Sequence, residues 1–355
     1  MKHFFLSIIL FSFFSNAQNI ENDSILDSNN DYIENYHNQL NVKFEISNEV
    51  KNYLVPFLGE EARISPNINF RYALGFNYKF ASVRIGIRSG QSDKNKLEKG
   101  ESDNFRLKVK FLFTNWSHKF EYNYVKGYYI KNSESFSRTI EDVSNHLQFP
   151  NMKTSVFSGT SAYKFNRNYS IRATQSQTEI QTKSVGTLMP SVDYWYYKIS
   201  DNQIYIDSQG NTIVREKFNK YKGLNTIANI GYYYTFVYKK NWYATVFAAP
   251  GIGIDFYTIT TNTSDDRFSN NYNSFVFSIQ SGAAIGYSAE RYYFGADYNN
   301  RHTYENYAAD RFQFNTSANT FHIFIGYRFR PPKTVSNTVE FIEKKVPILQ
   351  KEPEN

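Results

Sequence analysis

Seven cationic side chains give this chain its clearest chemical signal. Arg71, Lys79, Arg84, Arg88, Arg106, Lys108 and Lys110 share one parity over three consecutive strand-like stretches. Successive side chains of a strand point to opposite faces, so this parity makes one wall. Strand directions place Arg71, Arg88, Arg106 and Lys108 toward the outer mouth of whatever the strands enclose. Crowded cations repel, and such a wall persists when it draws an anion or when carboxylates neutralise it. The first case is an anion-attracting lumen, serving small anionic solutes or the headgroup or sugar phosphate of a lipid such as lipopolysaccharide. The second is an interior network with Glu121, Asp255, Asp297 or acids of the loops.

A second polar group lies at Gln175, Gln177, Glu179, Gln181 and Lys183, with Ser184 and Thr187, where the apolar face is replaced. It reads as a lumen constriction, a ligand-contacting outer segment or a plain extracellular loop. Other chemistries find no constellation. A hydrolase needs a nucleophile with a base in hydrogen-bond reach. Of His118, His146, His302 and His322 only His322 has a clear inward parity, and no spacing singles out Ser278 or Ser281 nearby, so no catalytic residue is assigned. His37, His146 and the Asp265–Asp266 pair lack metal-ligand spacing, and no glycine-rich phosphate loop opens a helix. No metal, cofactor or nucleic-acid partner is therefore expected. The absence of cysteine excludes a lipoprotein attachment site, a disulfide framework and thiolate chemistry.

The elements that must position these residues alternate with period two. In residues 68–80, Ile68, Phe70, Tyr72, Leu74, Phe76, Tyr78 and Phe80 fall on one parity, and Asn69, Arg71, Ala73, Gly75, Asn77 and Lys79 on the other. One wall is apolar and the other polar. A tilted transmembrane strand needs roughly 9 to 11 residues, and this stretch exceeds that. The pattern recurs about a dozen times, which predicts an all-β, transmembrane, antiparallel up-and-down β-barrel. The 30 Tyr and 32 Phe suit this reading, since buried hydroxyls want partners whereas barrel exteriors and interfacial girdles take tyrosine readily. Aromatics cluster beside tight turns at Tyr78 and Phe80, Phe165 and Tyr169, Tyr238 and Trp242, and Tyr287 and Tyr292.

Strands are expected near 41–48, 68–80, 83–88, 105–114, 120–124, 157–165, 169–173, 230–238, 242–256, 275–287, 292–298 and 320–329. Long loops fall at 49–67, 90–104 and 131–152, Pro250 suggests a bulge, and Asp207 to Asn211 look like a hairpin tip standing outside. Both termini belong on the periplasmic side, so the strand number is even. Twelve is preferred, with fourteen if residues 176–223 hold two crossings. The run at 186–198 is awkward for either count.

Residues 1–17 read as a secretory signal, with Lys2, an apolar run from Phe4 to Phe14, and small residues at Ser15 and Ala17. Residues 18–40 read as a periplasmic segment, 41–330 as the barrel and 331–355 as a polar periplasmic tail. The net charge of +7 suits anionic lipid better than nucleic acid for an exported chain.

The stretches YVKGYYI (124–130), FSGTSAYKFN (157–166), IRATQSQTEIQTKSVGTLM (171–189) and GYYYTFVYKKNWY (231–243) resemble, in order and wording, a family of Bacteroidota outer-membrane proteins catalogued as a domain of unknown function, DUF4421. The likeness spans roughly residues 31–330. It implies a barrel in the cell outer membrane, in contact with its lipid and delivered by the barrel assembly machinery, and it brings no catalytic residue. The hairpin near Asp207 and the tail after Phe329 depart from it. A narrow pore or envelope component with a cationic lumen is the leading functional expectation, with a lipid-modifying hydrolase and an adhesin or docking barrel as alternatives.

Overall fold

The computed structural model describes residues 31–51, 53–57, 60–87, 90–136, 146–200, 205–206, 212–214, 220–262, 267–305 and 318–345. Among them twelve long strands form a closed antiparallel ring. They are β1 (Leu40–Lys51), β2 (Arg71–Tyr78), β3 (Ala81–Ile87), β4 (Asp103–Leu112), β5 (Trp116–Ile130) and β6 (Gln148–Tyr163), followed by β7 (Val185–Ser200), β8 (Lys220–Tyr238), β9 (Trp242–Asn262), β10 (Arg267–Ser288), β11 (Tyr292–Glu305) and β12 (Ala318–Phe329). Each pairs with the next, and β12 closes on β1 from Phe329 opposite Leu40 to Ala318 opposite Lys51. Closure leaves no sheet edge, as a spanning sheet must, because hydrocarbon offers backbone groups no partner.

The period-two pattern sorts the two faces. Phe44, Phe76, Ile85, Phe105, Ile230 and Ile323 are each 40% exposed or more, as lipid-facing side chains are in a chain viewed without its membrane. Asn41, Glu45, Arg71, Arg84, Arg106 and Asp193, on the other parity, are buried in the lumen. Short turns gather at one end, with both described chain ends and the longer 164–184 connection, and the other long connections stand at the opposite end.

The expected strand at 169–173 is not one. Ile171–Gln175 form one helical turn, α2, capped by Ser170, whose side chain accepts from the Ala173 N–H. The seventh strand is instead Val185–Ser200, the run that was awkward for either count, so twelve is reached through a different member. Pro250 makes no bulge: Gly251 pairs with Asn229 and Ala248 with Tyr232, one unbroken register. Having no N–H, the proline only interrupts the ladder toward β8. A bulge does occur at Gly127, where the β5–β6 register shifts. That glycine has φ +85°, and a Cβ there would run into the Glu101 carbonyl. Past it, Tyr128 and Ile130 are buried in an apolar cluster with Trp195, Ile199 and Ile227.

The loop at 49–67 contains strands Tyr53–Phe57 and Glu60–Ser65, and Ile64 pairs with Ile130 above the end of β4. Tyr53 joins the apolar cluster there, its ring 6.0 Å from Tyr128. Tyr205–Ile206 and Thr212–Val214 pair as the expected outer hairpin, whose tip at 207–211 lies outside the described residues, as does the signal segment. Asp93–Lys99 form helix α1, and the tail carries helix α3 (Lys333–Lys345).

Candidate functional site

The cations of the first strands stand in the lumen beside carboxylates, as the interior-network alternative expects. Glu49, at the upper end of β1, accepts from Arg71 at 2.6 Å and from Arg106 at 2.6 Å. Arg106 also reaches Glu121 at 2.5 Å, and Lys108 meets the other oxygen of that carboxylate at 2.9 Å. Glu45 pairs with Lys43 at 2.7 Å and with Arg84. Burying a charge is expensive unless it is paired, and here carboxylates are shared among guanidinium and ammonium groups within one patch of wall. Glu121 is the one partner that parity had suggested. Asp255 is hydrogen-bonded to Tyr197 at 2.9 Å away from this group, and Asp297, two strands from β1, to His322 at 2.8 Å. Of the remaining candidates, Lys79 occupies the β2–β3 turn and pairs with Glu343 of α3 at 2.5 Å. Arg88 lies outside the described residues.

Facing this wall, Asp193 on β7 is a second centre. It accepts from Thr160 at 2.6 Å, Gln280 at 2.5 Å, Asn229 at 3.0 Å and Arg301 at 3.2 Å, groups drawn from four other strands. Ser278 is fully buried in the same wall. Two histidine pairs bear on hydrolysis. His322 lies between Asp297 and Ser47 in register, but the Ser47 hydroxyl donates to the Arg71 carbonyl. On the outside, His118 Nδ1 is 3.0 Å from Ser161 Oγ, beneath a stacked Trp116 ring.

The polar segment has the most definite placement. Residues 164–184 leave the turn end of β6, enter the barrel and return to β7. Asn41 on β1 donates to the Ser176 and Gln177 carbonyls at 2.7 and 3.1 Å, and Lys43 reaches Gln177 Oε1 at 3.2 Å. Lys110 on β4 donates to the Gln175 carbonyl at 3.0 Å, and Arg328 on β12 to that of Gln177 at 2.8 Å. Tyr169 and Ile171 pack among Leu112, Met189 and Tyr233, from β4, β7 and β8. Partners on all sides of the ring mean that the segment crosses the lumen. Gln177 takes φ +53° at its apex.

The segment is braced within itself. Arg172 binds Glu179 Oε1 at 2.5 Å, Ser170 donates to Oε2 at 2.5 Å, and Arg172 also donates to the Leu112 carbonyl at 2.9 Å. Burial opposes ionisation of Glu179, yet Arg172 and Ser170 hold its carboxyl below the ordinary value. Glu179–Gln181 pair with Ile33–Asn35, so the stretch before β1 is tied beneath the plug, where Lys183 meets Asp31 at 3.6 Å. Arg328 lies between the Tyr36 and Tyr293 rings, 4.9 and 5.0 Å from their centroids. Among the described residues no group of His, Asp and Glu has the arrangement of a metal site.

A closed antiparallel barrel with an apolar exterior and a charged, partly filled interior is a β-barrel of the outer-membrane type. The chain belongs to the DUF4421 family, a domain of unknown function, whose model matches residues 21–329. No curated protein matches the sequence. Solved structures similar to the chain include the outer membrane protease OmpT from Escherichia coli, at 10% identity and TM-score 0.33, covering 83% of this chain and 98% of that one. The translocator domain of the autotransporter NalP from Neisseria meningitidis shares 10% identity at TM-score 0.39, with coverage of 82% and 90%. LpxR from Salmonella typhimurium shares 11% at TM-score 0.32, with 81% and 100%.

Proposed function

We propose that this protein resides in the outer membrane as a closed barrel, an envelope component whose lumen binds small anionic solutes and does not serve as an open diffusion pore. The observation that carries the reading is the plug, residues 164–184, whose partners come from β1, β4, β7, β8 and β12. A segment hydrogen-bonded across the ring removes the straight aqueous path that passive diffusion needs. Above it the lumen keeps a cationic bias. Lys110, which donates to the Gln175 carbonyl of the plug, and Lys119 are direct register partners, and carboxylates such as Glu121 and Asp193 near Lys119 offset only part of the charge of the wall. Like charges directly opposite each other are destabilising across a strand pair, so an anion between them would be favoured.

Planar-bilayer recording tests this. The wild-type chain is expected to give no steady current, and a variant in which residues 165–183 are replaced by a short glycine-serine turn is expected to open stepwise with anion selectivity. A wild-type barrel that conducts steadily overturns the proposal. A second reading, lipid hydrolysis, draws on the outward His118–Ser161 pair; phospholipid turnover by the wild type that Ser161→Ala abolishes would favour it, and no turnover removes it.

A further inference from the structure

Helix α3 lies beyond the segment that the family model matches, and its surface divides into three flanks. At about 100° per residue, Val335, Val339 and Glu343 share one side. These are half-buried, as is Ser336 next to them: Val339 packs with Phe80, Phe111 and Phe113, and Glu343 binds Lys79. Phe111 and Phe113 belong to the outward parity of β4 and its turn, so the helix lies against the lower edge of the lipid-facing belt. On one side of this contact stand Thr334, Thr338, Phe341 and Ile342, with Lys345 at the helix end among them. On the other stand Lys333, Asn337, Glu340 and Lys344. Phe341 is 62% exposed and Ile342 40% exposed, although both are large and apolar. Lys345 lies 5.6 Å from the Phe341 ring, a cation beside an apolar side chain as at a headgroup boundary.

We propose that α3 is an interfacial helix, seated in the headgroup region of the leaflet on the turn side, with Phe341 and Ile342 in phospholipid and the Lys333–Lys344 flank in water. The occupant of the exposed flank is the barrel's own membrane, because that flank continues the belt already made by Phe111 and Phe113. An amphipathic helix with its apolar side in the acyl boundary and lysines at the polar edge has this chemistry. The Lys79–Glu343 pair and the Val339 contact fix its rotation, so that the apolar flank turns outward. The inference rests on the barrel spanning a membrane, and the test distinguishes the two.

The chain has no cysteine, so one introduced thiol labels one site. Nitroxide labels at Phe341→Cys, Ile342→Cys, Asn337→Cys and Lys344→Cys are compared in the full-length barrel reconstituted in phosphatidylethanolamine–phosphatidylglycerol vesicles. Ile323→Cys, on the lipid face of β12, serves as the reference, and the heat-modifiable gel shift reports folding. The expected result is oxygen-dominated relaxation at 341 and 342, as at 323, with a water-soluble nickel chelate dominating at 337 and 344. Nickel access at 341 equal to that at 337, with 323 still oxygen-exposed, overturns the interfacial helix alone. Inaccessibility of 341 to both reagents means a protein partner and also overturns it. Nickel access at 323 overturns the membrane reading and the helix proposal together.

Discussion

The wall from β2 to β4 and the wall from β8 to β11 solve the problem of a filled lumen differently. The first is short, with 8 and 7 residues in β2 and β3, and its inner face is ionic. The second reaches 21 and 22 residues in β9 and β10, and much of its inner face, with that of β12 beside it, is glycine under aromatic rings. Gly223 lies under Tyr197 and Gly326 under Tyr293, positions where a Cβ would overlap the ring. At roughly 3.3 Å per residue the difference between 8 and 21 residues is roughly 43 Å of strand, and the tall wall projects beyond the level at which the short one ends. The hairpin of residues 53–65 makes up part of the missing height with the apolar cluster around Tyr128. One wall is held by charge and the other by shape, and each should fail in its own way.

The largest effect belongs to the charged wall. Glu49→Ala leaves Arg71 and Arg106 buried without their shared carboxylate, and should cost about 3–5 kcal/mol in urea unfolding of the barrel followed by the gel shift. Replacing Glu49, Arg71 and Arg106 together by leucine or methionine should restore most of that loss; no restoration would mean that the network holds specific geometry as well as charge. On the shape-filled wall Gly326→Ala should cost about 1–3 kcal/mol, since the added methyl must displace the Tyr293 ring. Its effect should be relieved by Tyr293→Phe or Tyr293→Leu only where the smaller ring or side chain can move, and an unchanged stability would show that the ring is free to swing.

The smallest effect sharpens the contrast with the plug, which uses both devices. Because the folded carboxyl of Glu179 titrates below its ordinary value, its pairing stabilises the plug above the usual glutamate range and is lost as pH falls through the lower folded value. Acidification to below the ordinary glutamate range should therefore bring rare channel openings, which Glu179→Gln should produce at neutral pH. Identical silent recordings at both pH values would show that Asn41, Lys43 and Arg328 hold the plug without the Arg172–Glu179 pair.

Much of the fold was legible because lipid enforces a strict period of two. The outward sets on β1 to β5 and β8 to β12 are visible as alternating Phe, Ile and Tyr. Val185–Ser200 escaped because its lower half, with Gly186, Thr187 and Pro190, breaks that alternation, whereas Tyr169, Ile171 and Ala173 imitate it over a stretch too short to separate a strand from a helical turn. Glu45 sits on the inward parity of β1 and could have been read there; Glu49 was covered only among the acids of the loops, since it looked like the start of one. The plug had a polar signature in Gln175 to Lys183, yet polarity does not tell a lumen from bulk water, and the contacts that decide come from residues more than a hundred positions away, such as Asn41 and Arg328.

The residues that grip the plug apex come from the first strand and the last. Asn41 and Lys43 belong to one side of the seam and Arg328 to the other, and the ring is complete only when these strands zip together. A nascent barrel still open at that seam can hold the segment from β4, β7 and β8 but cannot bring both margins to its apex, and the bolt is thrown by the same event that shuts the door. Closure of the ring and sealing of its interior become a single step, so a half-assembled molecule would be the leaky one.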